Sequence, residues 1–248
     1  MVATDFYTND QYLKKNPGWH VEASPWKADT ILQIMRRNNI HPKSVCEVGC
    51  GAGEILRLLQ RELDSDCTFV GYDIAPQAIE LAQRRENERL HFKQADFAQE
   101  GDLYFDLILL IDVLEHFENC FSFLREIKAK SQYKILQLPL DVSVESVLLN
   151  ELIDYRHATG HLHFFTKDIA LEILRDNGYE VVDYFYAMRP FDVVPWHELR
   201  SAPLKAPTMV LKLLRRLLYR LPRKLLFALH RDFAVRLLGG WRMVVLVK

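Results

Sequence analysis

What this chain lacks narrows the field first. Its 248 residues include four cysteines, Cys46, Cys50, Cys67 and Cys120, with no Cys-x-x-Cys pair among them. That sparse usage argues against a disulfide framework or zinc knuckle and for a reduced, cytoplasmic protein. The formal net charge is −1, so no overall excess of positive charge points to nucleic acid. No apolar run reaches the roughly 18 residues of a spanning helix, and Met1 to Lys15 carry no apolar signal-peptide core. There is no internal repeat and no low-complexity tract.

What is present suits one α/β domain with elaborations: 49% of residues are hydrophobic, enough for a substantial core. After Pro42 the pattern alternates strand and helix, which implies a parallel sheet covered on both faces. Strands are predicted at Ser44–Val48, Thr68–Tyr72, Leu90–Gln94, Phe105–Ile111, Tyr133–Leu138, Tyr179–Tyr186 and Arg242–Val247. Helices are predicted at Lys27–Asn38, Glu54–Leu63, Pro76–Glu86, Phe117–Lys128 and Lys167–Asn177. Residues 139–166 and 187–240 are long connections, which in compact domains usually carry function or structure of their own.

The first strand runs into Glu47-Val48-Gly49-Cys50-Gly51-Ala52-Gly53-Glu54. Alternating glycines ahead of a helix let backbone approach a ligand and aim the helix's free N–H groups at it. A dinucleotide fingerprint needs Gly-x-Gly-x-x-Gly, but the third position holds Glu54, whose carboxylate would repel a pyrophosphate. Glu47 adds a group suited to a cationic ligand. Asp73 ends the second strand, where ribose hydroxyls bind in Rossmann-like folds; a helix cap is its plainer alternative. Asp96-Phe97 follow the third strand, with a turn aspartate as the alternative. The almost wholly apolar fourth strand ends in Asp112-Val113-Leu114-Glu115-His116.

Together these segments resemble the class I S-adenosylmethionine-dependent methyltransferases, strongly over residues 44–138 and loosely over 161–186. The resemblance implies a doubly wound Rossmann-like sheet of seven strands, mostly parallel with the last antiparallel. It implies S-adenosylmethionine as donor and S-adenosylhomocysteine as product. The cofactor residues it implies are Glu47, Gly49, Cys50, Gly51, Asp73, Ile74, Asp96, Phe97, Ile111 and Asp112, Asp96 taking the adenine amine. On this view residues 1–40 form an arm or lid, 44–186 the cofactor core, 187–240 a basic helical cap insertion, and 241–248 the last strand.

Methyl transfer needs a nucleophile held in line and, for a hydroxyl acceptor, a place for its proton. Histidine suits that task, and His161, His163 and His116 are the candidates in that order; holding the connection in place is their alternative role. His161 and His163 are two apart, so an extended segment would point both to one side. A metal is not expected, because the adjacent side chains of Glu115 and His116 should diverge. The arm holds Tyr7, Tyr12, Trp19, His20, Trp26 and Lys27, a set suited to close over the cofactor with Lys27 pairing its carboxylate; packing of the aromatics onto the sheet is an equal alternative. The acceptor is expected to be small or lipid-like, not nucleic acid.

From Lys205 to Arg236 there are nine Lys and Arg against one acid, Asp232. Within Met209–Arg220 the pattern is that of a basic amphipathic helix. It reads first as a cap on the site, since amphipathic helices on globular domains mostly face the core, and otherwise as a peripheral membrane contact or a binder of anionic substrate. Two rival classes stay open: a non-catalytic protein docking through this insertion, and a nicotinamide oxidoreductase.

Overall fold

The computed structural model describes residues 18–19, 21–188 and 223–248. Its strands are β1 (Ser44–Val48), β2 (Thr68–Asp73), β3 (Leu90–Gln94), β4 (Phe105–Ile111), β5 (Ser131–Leu140), β6 (Val181–Met188) and β7 (Trp241–Val247). They form one sheet of order β3-β2-β1-β4-β5-β7-β6. All neighbours are parallel except β7, which is antiparallel to both β5 and β6. The doubly wound sheet with an antiparallel last strand is therefore the fold.

The helices are α1 (Ser24–Arg37), α2 (Glu54–Glu62), α3 (Pro76–Gln83), α4 (Cys120–Ile127), α5 (Val144–Leu148), α6 (Glu151–Thr159), α7 (Lys167–Asp176) and α8 (Arg231–Leu237). Successive strand residues point to opposite faces, and the core divides accordingly. Val45, Leu107, Leu109 and Ile135 pack with Ile31 and Ile34 of α1, Leu56 and Leu59 of α2, and Ile79 of α3. Cys46, Ile108, Leu110 and Leu136 pack with Phe123 and Ile127 of α4, Leu171 and Leu174 of α7, and Val235 of α8.

Several boundaries shift from expectation for local reasons. Helix α1 starts at Ser24, with Pro25 in its first turn where no N–H is needed. Helix α4 starts at Cys120 because Asn119 caps it, its side chain accepting from Ser122 N at 3.0 Å. The residues just before, Leu114–His116, form a separate 3-10 turn. The connection after β5 carries α5 and α6, and Ser143 and Ser146 close a reciprocal capping box at the start of α5. Of the basic insertion, residues 205–222, including the Met209–Arg220 pattern, lie outside the described residues. So do Tyr7, Tyr12 and His20 of the arm.

No helix among the described residues is long and apolar enough to cross a membrane.

Candidate functional site

Strand order reverses between β1 and β4, and a crevice beyond the carboxyl ends of the strands is where open α/β sheets bind ligands. A cavity of about 710 Å³ lies there. Trp19, Lys27, Glu47, Gly49, Cys50, Gly51, Asp73, Ile74, Asp96, Phe97, Ile111, Asp112, His116 and His161 all line it. His163 does not; its Nε2 donates to Phe117 O at 2.7 Å and its ring stacks on Phe165. Residues 161–166 are irregular rather than a strand, so His161 and His163 do not share one side.

The β1 side is built largely by backbone. Gly49 and Gly53 both have positive φ, 72° and 76°. A Cβ on Gly49 would lie 2.5 Å from Val113 Cγ2, and one on Gly53 would lie 2.3 Å from Phe92 Cζ. Gly53, rather than a glycine at position 54, thus permits close packing of the loop on β3. Asp73 Oδ2 accepts from Gly51 N at 2.8 Å and its Oδ1 from Ala75 N at 2.9 Å. It therefore pins the glycine loop and caps the approach to α3 at once. Asp96 is exposed and accepts from Ala98 N and Gln99 Nε2 at 3.1 and 2.9 Å. Glu54 also lines the cavity, but Arg57 and Arg85 bind its carboxylate at 2.5–2.9 Å, so the repulsion expected of it is neutralised.

Glu47 lines this side and is buried, and its Oε2 has no hydrogen-bond partner. Burial, opposed by Lys27 and assisted by Asp73, pushes its carboxyl up to about 8. A buried acid with an unmatched oxygen is a ready partner for a cationic ligand.

The β4 side centres on Asp112, a non-glycine residue at φ 53°, a conformation that persists only where the surroundings hold it. Its N–H donates to Gln137 O at 3.0 Å. Its carboxylate meets Lys27 Nζ at 2.9 Å and Arg242 Nε at 3.1 Å. Burial favours the neutral acid, but the two cations outweigh it and hold the group well below the usual carboxylate range. Lys27 is placed by a buried chain: Gln137 Nε2 donates to Thr30 Oγ1 at 3.1 Å, which donates to Lys27 O at 2.8 Å. Lys27 therefore faces Asp112 first, rather than standing free for a cofactor carboxylate.

Glu115, His116 and His161 close the far end. The turn at 114–116 is tied to the later segment by Leu162 N and His163 N, which both donate to Glu115 O at 2.8 and 3.1 Å. His161 is 8% exposed, and its Nδ1 donates to Asp141 Oδ2 at 2.7 Å. His116 Nδ1 donates to Gly160 O at 3.3 Å. The two imidazoles pack edge to face with centroids 5.0 Å apart. Burial, with His161 adding to it, lowers His116 to about 4. Burial and then Asp112 raise the Glu115 carboxyl well above its ordinary value. Glu115 and His116 do not diverge, because the tight turn brings Oε1 and Nε2 to 4.0 Å.

Sequence reasoning missed Asp141 and Arg242 as site residues, and weighed Glu115 only as a metal ligand before setting it aside. Asp141 lies just past the carboxyl end of β5, the same placement that singled out Glu47, Asp73 and Asp112. Arg242 showed as a lone charge in the otherwise apolar run Trp241–Val247, a burial that needs a partner.

A family model described as a methyltransferase domain matches residues 19–184, more than half of the chain. Compared with the curated proteins, the sequence has no match. Among solved structures it resembles magnesium protoporphyrin IX methyltransferase from Synechocystis with bound S-adenosylhomocysteine, at 18% identity and TM-score 0.57, covering 77% of this chain and 93% of that one. It also resembles a methyltransferase from Thiobacillus denitrificans in complex with the same product, at 15% identity and TM-score 0.59, covering 96% and 97%. The N-methyltransferase NodS from Bradyrhizobium japonicum aligns at 16% identity and TM-score 0.55, covering 73% and 91%. These likenesses are of fold; the family match over the glycine loop, the β4 end and the histidine segment goes further. The chain belongs to the class I S-adenosylmethionine-dependent methyltransferase family.

Proposed function

We propose that this protein binds S-adenosylmethionine on the β1 side of the cavity and methylates an oxygen nucleophile of a small acceptor seated against the Glu115–His116–His161 corner. One observation carries the reading: a single cavity has an unmatched buried carboxylate, Glu47, at one end and a carboxylate-held histidine, His161, at the other.

The residues present fit the cofactor. Glu47 offers an acceptor to its positive charge. A Cβ at Gly51 would find only Trp19, 4.0 Å away, so the glycine turn leaves room for a ligand against its backbone. Ile74, 37% exposed beside Phe97, supplies an apolar flank for a purine, with Asp73 and Asp96 as acceptors for ribose and amine donors. Bound, the cofactor supplies a sulfonium methyl that is electrophilic without further activation.

The remaining work falls to the chain. Trp19 and Trp26 border the cavity and exclude water. The volume lies within the roughly 300–1,000 Å³ of ligand pockets, which leaves a cofactor-loaded site room for a small acceptor or the head of a lipid-like one. Positioning of that acceptor supplies the larger share of the acceleration, on the order of 7–11 kcal/mol in favourable cases. Asp141 fixes the His161 ring so that Nε2 faces the corner, where an acceptor hydroxyl presents its proton. A membrane role would draw on the basic insertion, of whose described residues Lys224, Leu225, Leu229, Arg231 and Phe233 are exposed. Among the described residues, Arg223 is bound by Glu145 and Gly239, and Arg236 by Asp168 at 2.6 Å.

The test is His161→Ala. Calorimetry should find cofactor affinity within about two-fold of the parent. Methyl transfer to an acceptor, identified by labelled-methyl transfer into fractionated extract, should fall at least about ten-fold, or 1.4 kcal/mol. Unchanged turnover sinks the role of the corner, and absent cofactor binding in the parent sinks the reading as a whole.

A further inference from the structure

The corner holds more than a proton acceptor requires. One ligand atom from each of Glu115, His116 and His161 lies within 4.8 Å of the others. Glu115 is 0% exposed, and neither of its carboxylate oxygens has a hydrogen-bond partner, although it lines the cavity. An acid left in that state is costly unless something else completes it.

The histidines are arranged as metal ligands are. Each gives its Nδ1–H to an oxygen, His161 to Asp141 and His116 to Gly160 O, which fixes the ring and makes Nε2 the ligating nitrogen; that of His116 lies 4.0 Å from Glu115 Oε1. Metal-bound histidines almost always donate their other nitrogen to a carboxylate or carbonyl in this way. The nearby charges are Asp112 and Asp141 against Lys27 and Arg242, which balance. Glu115 makes no ion pair with either cation, although Arg242 acts on it at longer range.

We propose that Glu115, His116 and His161 bind a divalent transition-metal ion whose remaining positions hold the acceptor's oxygen. Two imidazole nitrogens and one carboxylate suit zinc, cobalt, manganese or ferrous iron. Bonds of about 2.0–2.2 Å place tetrahedral ligand atoms about 3.4 Å apart, so donors now up to 4.8 Å from one another close by about an ångström as the ion binds. The ion lowers the pKa of a coordinated hydroxyl, which releases its proton to solvent before methyl transfer; with the ion bound, His161 serves as a ligand in place of the base of the metal-free reading, and Asp141 as a positioning residue. The metal site stands on its own geometry, whereas its use in holding the acceptor rests on the oxygen-methylation reading above.

The experiment strips the full-length protein with a chelator and titrates it with Co²⁺ by visible absorption and with Mn²⁺ by paramagnetic resonance. Cofactor affinity is measured in parallel by calorimetry. One saturable ion per chain is expected, bound at least ten-fold more weakly by Glu115→Gln and His161→Ala. Asp141→Asn should weaken it about 10- to 100-fold. Parent-like circular dichroism and cofactor affinity in Glu115→Gln show that the near-isosteric variant folds. No saturable binding of either ion below about 1 mM, a free energy near −4.1 kcal/mol, overturns the proposal, as does unchanged affinity in both ligand variants. Metal binding without cofactor binding would keep the site and overturn the function; turnover indifferent to chelator would keep the function and overturn the metal's part in it.

Discussion

The two ends of the cavity are made differently. The β1 side comes from one nearly continuous stretch, residues 47–97, and its key contacts are backbone: positive-φ glycines, Gly51 N on Asp73, and Ala75 N on the same carboxylate. The β4 side comes from segments far apart in sequence, α1 with Lys27, the β4 end with Asp112, the turn with Glu115 and His116, then Asp141, His161 and Arg242. Its contacts are between side chains. A backbone cradle binds what is common to every reaction of a fold. A side-chain constellation drawn from loops is free to vary with the acceptor.

The largest effect should come from breaking the β1 side. In Gly53→Ala the new Cβ would sit 2.3 Å from Phe92 Cζ and 3.1 Å from Ala82 Cβ at a φ of 76°. Left-handed backbone costs an L-residue about 1–2 kcal/mol and overpacking about 1–3, so about 4 kcal/mol of stability should be lost by urea denaturation. Gly51→Ala meets no such contact and should lose only the backbone part. Equal losses at the two glycines would show that conformation alone, not packing on β3, sets the loop.

Asp112 joins the two sides, and removing it is the next largest change. Breaking a buried ion pair costs about 3–5 kcal/mol. The lower figure, about 3, applies to Asp112→Ala, because Lys27 and Asp112 keep 16% and 20% of their side-chain surface exposed. The loss should partly return in a Lys27→Met/Asp112→Ala double variant, where one of the two stranded cations is gone. Additive losses would mean that the pair is not coupled.

The same contrast explains what could be read in advance. The glycine loop, Asp73 and the apolar β4 with its terminal acid declare themselves through local spacing, so family, sheet and strand positions were legible. Asp141 and Arg242 were not singled out, because nothing local ties them to their partners: Asp141 meets His161 across the two helices α5 and α6, and Arg242 meets Asp112 only when β7 inserts between β5 and β6. The shared side of His161 and His163 failed because alternation holds for an extended strand, whereas 161–166 is pinned irregularly by Glu115 O and Phe117 O. Divergence of Glu115 and His116 failed for a related reason: a 3-10 turn, not a strand or α-helix, carries them.

The smallest prediction tests whether Glu47 belongs to the donor side. Its carboxyl is raised from 4.5 to about 8, first by burial, so near neutral pH the cofactor-free protein keeps it mostly protonated. A cationic ligand favours the carboxylate, and binding must then expel the proton. Below pH 8 each unit of acidity should weaken cofactor affinity by up to about ten-fold, 1.36 kcal/mol. Between pH 6 and 7.5, below the range where the cofactor's own amino group deprotonates, affinity should rise with pH. Calorimetry in buffers of differing ionisation enthalpy should find nearly one proton released per cofactor, and Glu47→Gln should abolish both the release and the slope. Folding has the opposite dependence: a group whose native pKa is raised stabilises the fold below its unfolded value and loses that contribution as pH climbs through 8. The cofactor-free protein should therefore be more stable near pH 5 than near pH 8 by this term, while Glu47→Gln flattens it. A slope of affinity that survives in Glu47→Gln would assign the proton to another group and leave the β1 side a cradle of backbone alone.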